Sequence, residues 1–471
     1  MRRIAAFFKS EKTVAFFMGW KYPAIVAFFV AFAAISGLEL YVGVLHLLVA
    51  LVAIFVTSSF KPALITLLTM VMHISVKNAP FYPTYSSYFR EGWRFAVFVA
   101  VCIIVFICLV VFVIKNRIYK RVRFGSTPML VSMLVFAASL MLNGAMSGKW
   151  EIGNLIFGFA NASVYSLVFL FIYYSFGDES SDSLTSYFSY LSTLVSYIII
   201  AELVALFITS DKLFVSGSIE KVEIALGWGI WNLVGVSLAV LIPIIFYGVH
   251  NNRYPWFYFV TATLTFVFAV LTMSRNALLF SSVSYGVCVI ISCIKGKFKK
   301  AFRIILAAGI VAVTVFAVLL FGRIRELLAD YFERGFSDNG RFALWKAAFD
   351  NFLASPVFGG GFYGFDVDDS LLYGFGPLAK QAHNTFLQLL SASGIIGFSA
   401  YVYYRYESIK PIFRRPSLKK TLLFMSIVVF LLASMLDNFV FNIYPTFYYT
   451  VALALLHKDD EEKREAAVQV K

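Results

Sequence analysis

The chain has 471 residues, of which 60% are hydrophobic and 14% charged, with a mean hydropathy of +0.81. A soluble domain carries about 45–50% apolar and about 25% charged residues, so an ordinary soluble fold is excluded and an integral membrane protein implied. The net charge of +14 lies in short clusters beside apolar runs, the placement of topology determinants; no nucleic-acid partner is expected.

Met1-Arg2-Arg3, with Lys9 and Lys12, precedes apolar sequence without an Ala-x-Ala-type cleavage signal and reads as a retained cytoplasmic start. A crossing helix needs about 20 residues. Apolar runs predict spans near 17–37, 40–57, 62–76, 93–114, 128–143, 154–176 and 187–209. A second set follows near 224–247, 256–273, 277–294, 301–320, 384–404, 420–436 and 443–457. The expectation is an all-α polytopic membrane protein with about 14 transmembrane helices, within about 12–14, and one large extracytoplasmic loop. Only Ser274-Arg275-Asn276 separates 256–273 from 277–294, which predicts a tight hairpin with Arg275 at its tip. The organisation is then helices 1–11 over 1–320, a loop over 321–383, helices 12–14 over 384–457 and a charged tail over 458–471. Cys102, Cys108, Cys288 and Cys293 all fall in apolar runs and read as small buried hydrophobes.

Basic clusters fix the expected orientation. Lys115 to Arg123, Lys295 to Arg303, Arg405 to Lys420 and the tail from Lys458 fall on one side if the spans alternate as predicted. The positive-inside rule makes that side, and both termini, cytoplasmic. Arg275, the loop 321–383 and Asp437-Asn438 are then extracytoplasmic.

The loop is patterned. Residues 321–340 alternate charged and apolar positions as an amphipathic helix, and a second helix starts near Arg341 and stops before Pro356. Gly359-Gly360-Gly361 allows either a backbone nest for phosphate oxygens or plain flexibility. Asp366, Asp368 and Asp369 form an acidic turn without calcium-loop spacing, and no metal site is expected. Arg275 offers a planar fork of donors for phosphate oxygens, or else snorkels from a helix end. His383 suits proton transfer near neutral pH, or else caps the loop.

In order, Ser274-Arg275-Asn276-Ala277-Leu278, Arg341-Phe342-Ala343-Leu344-Trp345, Ala354-Ser355-Pro356-Val357-Phe358-Gly359-Gly360-Gly361 and Ala382-His383-Asn384-Thr385-Phe386-Leu387-Gln388-Leu389-Leu390, leading into Gly394-Ile395-Ile396-Gly397, make a pattern. Over about 255–405 the chain resembles the O-antigen ligase and polymerase superfamily, bacterial membrane enzymes that act on undecaprenyl-diphosphate-linked glycans. The resemblance implies a GT-C-like glycosyltransferase of the bacterial inner or cytoplasmic membrane, its active site extracytoplasmic. The implied donor is an undecaprenyl-diphosphate glycan, with no metal and no cofactor. Arg275, Arg341 and His383 would hold the diphosphate with Gly359, Gly360 and Gly361, and Asp437, Asp366 and Asp368 are the carboxylates from which an acceptor base would come. Implied partners are the lipid-linked oligosaccharide and a chain-length regulator or flippase of the same pathway.

Two enzyme readings follow. A polymerase joins lipid-linked repeat units, and this is the expectation; a ligase moves the finished chain to lipid A core, a wall polymer or a protein. A transporter of lipid-linked glycans, with Glu39 and Glu202 lining its path, is the alternative of another class.

Overall fold

The computed structural model describes residues 10–73, 92–147, 151–176, 179–211, 213–215, 218–219, 223–319, 341–362, 382–441 and 443–469. Their helices, in order, are α1 (Glu11–Met18), α2 (Lys21–Ser36), α3 (Glu39–Thr57), α4 (Leu64–Thr69), α5 (Gly92–Lys115), α6 (Leu130–Met141), α7 (Ile152–Ser163), α8 (Phe169–Ser175) and α9 (Ser181–Thr209). There follow α10 (Trp231–Asn251), α11 (Pro255–Leu271), α12 (Arg275–Lys295), α13 (Lys299–Leu319), α14 (Arg341–Ala354), α15 (Thr385–Phe413), α16 (Leu418–Ala433) and α17 (Ile443–Gln469). A π turn joins α7 to α8, and two antiparallel two-residue ladders, Phe214–Val215 with Ser218–Ile219 and Ala225–Leu226 with Gly229–Ile230, lie between α9 and α10.

The chain is an all-α, multi-pass membrane protein, but the expectation of about 14 transmembrane helices is overturned. Among the described residues, six helices are long and apolar enough to cross: α3, α7 with α8, α9, α10, α12 and α15. The pair α1 and α2, bent by 57°, makes seven if counted as one span. Other apolar runs fold short, as Lys61–His73, Leu130–Met141 and Pro255–Leu271. The 12 residues of α6 rise about 18 Å, against about 30 Å of hydrocarbon. Hydropathy reports apolar content, whereas caps and breaks set helix length. Met129, in the left-handed region at φ 60°, starts α6 late, and Leu142 closes it.

The sheath of helices is built around α10, which is buried along its span and packs against α9, α11, α12 and α16. Side-chain bonds fix the relative directions. Ser274 at the start of α12 bonds Asn232 at the start of α10 (2.8 Å), and Ser292 bonds His250 where both helices end (3.1 Å). The two therefore run parallel, with α11 returning between them. Conversely, α9 runs antiparallel to α10, since Ser189 takes the Gly248 amide (3.0 Å) and Glu202 takes the Trp228 indole N–H (3.2 Å). Lys419 at the start of α16 pairs with Asp182 at the start of α9 (2.6 Å), while Ser426 donates to the Val240 carbonyl halfway along α10 (2.8 Å).

Two ends result. At one lie the ends of α10 and α12 and the starts of α9 and α16, with Lys295, Lys419 and Lys420. At the other lie the starts of α10, α12 and α15 and the end of α16, where the Thr385 amide donates to the Ser434 carbonyl (3.0 Å). The residues 458–469 are not a loose tail. They continue α17 as a helix, pinned at the basic end by Lys419–Asp459 (2.5 Å), Lys420–Asp460 (2.7 Å) and Ser181–Glu462 (2.5 Å).

Arg405, expected in a basic loop, instead lies inside α15. It is 9% exposed, and its guanidinium faces the rings of Tyr401 (4.6 Å), Tyr449 (4.8 Å), Tyr404 (5.1 Å) and Tyr165 (5.7 Å). Each such contact contributes on the order of 0.5–2 kcal/mol, more when desolvated.

Candidate functional site

At the end opposite the lysines, the chain places cations where helix chemistry disfavours them. Arg275 is the first residue of α12 and Arg341 the first residue of α14. A helix N-terminus carries partial positive charge, so a cation there is opposed by roughly 0.3–1 kcal/mol, whereas an anion is welcomed. Ser274 caps α12 by accepting from the Ala277 amide (3.2 Å), which holds the exposed Arg275 at the tip of the α11–α12 hairpin.

His383 stands just before α15. Asn384 caps that helix, its side chain accepting from the Phe386 and Leu387 amides (3.0 and 3.2 Å). His383 itself is in the left-handed region, φ 46°, where a side chain is sterically opposed and persists only if the surroundings hold it. They do. Its Nδ1 lies 2.9 Å from Asp437 Oδ1, and the same oxygen accepts the Asn438 amide at 2.8 Å.

Burial pushes the Asp437 carboxyl up, but the hydrogen bond and charge of His383, the Asn438 amide and the charge of Arg341 outweigh it. The carboxyl is held below the usual carboxylate range. An ionised carboxylate only accepts, so Nδ1 is the nitrogen that carries hydrogen, and Nε2 is left for other chemistry. The side chains are 37% and 17% exposed, so the pair is open to one side. Arg341 is brought near because α14 docks on this corner. Leu344 and Ala348 pack with Ala382, and Ala347 and Leu387 lie against them.

The glycine triplet does not present donors to an anion. Gly359, Gly360 and Gly361 donate to the carbonyls of Ser355, Ser391 and Ala392, each at 2.9 Å. Their role is close backbone approach to the break in α15 at Gly394, which has φ 62° and ψ −163°. A Cβ on Gly359 would sit 2.3 Å from the Ala392 carbonyl carbon, and one on Gly394 would sit 2.4 Å from the Val357 carbonyl oxygen. The nest reading of Gly359, Gly360 and Gly361 is therefore replaced by a packing junction.

Arg341, His383 and Asp437 thus gather at one corner, and Arg275 lies at the same end. Asp366 and Asp368, with the amphipathic segment 321–340, lie outside the described residues. Among the described residues no group of three or more His, Cys, Asp or Glu is placed to hold a metal. Asn276, which the sequence places beside Arg275 without giving it a role, is buried with neither amide atom hydrogen-bonded. Sequence reasoning missed that Asp437, 54 positions beyond His383, is its partner; no local spacing carries that signal.

Residues 259–402 match the O-antigen ligase family model. The matched stretch runs through Arg275, Arg341 and His383 and ends before Asp437. The chain therefore carries a domain of the O-antigen ligase and polymerase superfamily. No curated protein matches the chain.

Proposed function

We propose that the protein is a glycan ligase, transferring a polysaccharide from undecaprenyl diphosphate to the hydroxyl of a separate acceptor such as lipid A core, a wall polymer or a protein. The observation that carries this is the His383–Asp437 pair beside the Arg341 charge, within and just beyond an O-antigen ligase domain. Matching to a ligase model favours this over the polymerase expectation. The basic clusters gathered at the opposite end support a cytoplasmic side there and an outward-facing site.

The chemistry needs no nucleotide, because the diphosphate is already an activated leaving group. The acceptor oxygen attacks the anomeric carbon, the bond from that carbon to the diphosphate oxygen breaks, and the diphosphate leaves with the electron pair. His383 Nε2 takes the acceptor's hydroxyl proton, and the Asp437 carboxylate steadies the imidazolium that forms. Arg275 and Arg341 meet the charge growing on the diphosphate, where losing one such contact costs roughly 10²–10³ in rate. Asp437 is thus an orienting group and not the acceptor base itself.

The test is the purified full chain in detergent with a defined undecaprenyl-diphosphate glycan. A single transfer to an added acceptor, and no product from donor alone, is the expected result. A ladder from donor alone would make it a polymerase. Activity that persists with a chelator is expected; loss restored by magnesium or manganese would overturn the metal-independent mechanism.

A further inference from the structure

The corner that holds His383 and Asp437 is closed by a side chain with no part in the chemistry above. Gln388 lies in the first turns of α15 and is 3% exposed. Its Oε1 accepts two hydrogen bonds, from the Ala382 amide (2.8 Å) and from Asn438 Nδ2 (3.2 Å). A backbone amide can only donate, so the atom facing Ala382 is the oxygen. The same oxygen then requires Asn438 to present its nitrogen, which settles the orientation of both amides.

These contacts complete a circuit. Ala382 precedes His383, whose Nδ1 donates to Asp437 Oδ1; Asn438 follows Asp437 and returns its own amide to that oxygen; Asn438 Nδ2 and the Ala382 amide then meet at Gln388. One acceptor atom ties the two chain segments that carry the pair. We infer that Gln388 is a positioning residue for glycosyl transfer, fixing the separation of His383 and Asp437 and holding His383 in its left-handed conformation. The inference rests on the transfer reading above. Its physical basis is that a buried polar group shared by two donors defines a single geometry, while a left-handed histidine has neighbouring backbone conformations of lower energy. Without the tie, Ala382 can turn and carry the ring off the carboxylate. An orientation error of about 1 Å costs about 10²-fold in rate.

Gln388→Leu and Gln388→Glu separate positioning from mere packing. Leucine fills the space and accepts nothing; glutamate accepts both bonds and adds a negative charge. The full chain in detergent, assayed with the undecaprenyl-diphosphate glycan and acceptor, should show Gln388→Leu with kcat lowered about 10- to 100-fold and KM within about twofold. Gln388→Glu should recover most of kcat, with the low-pH limb of its profile moved to higher pH, because the added charge favours the protonated ring. A folded Gln388→Leu with wild-type kcat and pH profile overturns the inference. So does a folded Gln388→Glu as impaired as Gln388→Leu, and this second variant decides the matter if the leucine protein does not fold. Wild-type protein that transfers nothing would count against the function proposed above instead. The inference is then read from thermal melts of Gln388→Leu, Asp437→Asn and the double variant: non-additive shifts uphold the circuit, and additive ones overturn it.

Discussion

Replacing Asp437 by Asn removes one charge while keeping shape, and the asparagine oxygen can still accept from the Asn438 amide. When His383 is protonated, its charge and that of the carboxylate lie about 4 Å apart, and at an effective dielectric of about 20 they attract by about 4 kcal/mol. The histidine side chain is 37% exposed and the carboxylate 17%, so solvent screening reduces this to about 1–2 kcal/mol. If Asp437 acts only by steadying the imidazolium, kcat/KM falls about 10- to 30-fold. If it also sets which ring nitrogen carries hydrogen, the loss approaches about 10⁴-fold, since an Asn amide that gives up the Asn438 bond can turn its own N–H toward Nδ1 and force the other tautomer. Single-turnover transfer with a fixed donor, beside a thermal melt of the same preparation, reads both effects. Wild-type turnover in Asp437→Asn would refute the role assigned to the pair.

Arg275→Ala and Arg341→Ala should each lower transfer about 10²–10³-fold without changing insertion, and Arg275→Lys should restore little, because an ammonium lacks the guanidinium fork; near-normal transfer by Arg275→Ala would assign that residue to snorkelling. The folded value of Asp437 lies below its unfolded value, so its stabilisation is complete above about pH 3.9 and is lost as pH falls through the lower folded value. Melts between about pH 6 and about pH 3 should show an acid-side loss that Asp437→Asn lacks. In a background without the native cysteines, a cysteine at the exposed Phe342 should react with an impermeant reagent applied outside, and cysteines at the exposed Lys297 and Phe413 only after lysis; early labelling at Lys297 would reverse the orientation.

Much of the membrane character was legible because apolar content is a local property. The α11–α12 hairpin with Arg275 at its tip, and the helix from Arg341 to just before Pro356, follow from punctuation that reads directly in sequence. Span number did not, since where a helix starts, stops or breaks depends on caps and on neighbouring backbone, as the 12-residue α6 and the break in α15 at Gly394 illustrate. Arg405 looked like a loop cation because its tyrosine partners come partly from α7–α8 and α17, far along the chain. Gly359 to Gly361 read as an anion nest or as plain flexibility where the chain turns back. The α15 carbonyls that take the Gly360 and Gly361 amides, and the Ala392 backbone that a Cβ on Gly359 would strike, show that the missing side chains serve backbone contact. Arg275, Arg341 and His383 were legible as a set through family resemblance, while the link from His383 to Asp437 is a tertiary contact.

The tyrosines around Arg405 bear on how the chain is made. An arginine at the centre of a lone helix disfavours insertion by about 2.5–3.5 kcal/mol on the translocon scale. Two of the rings that offset this, Tyr401 and Tyr404, travel on α15 itself, and Tyr165 has already been synthesised when α15 emerges. Tyr449 has not: it arrives only with α17, after α16 has been laid down. During synthesis α15 is therefore short of part of its cage, and the late helix completes it, so the order of translation and the order of burial differ for this segment. A ribosome-tethered chain halted before Tyr449 should hold α15 less firmly in the bilayer than one halted after it, which makes the last helix a condition for the seating of the one that carries the candidate site.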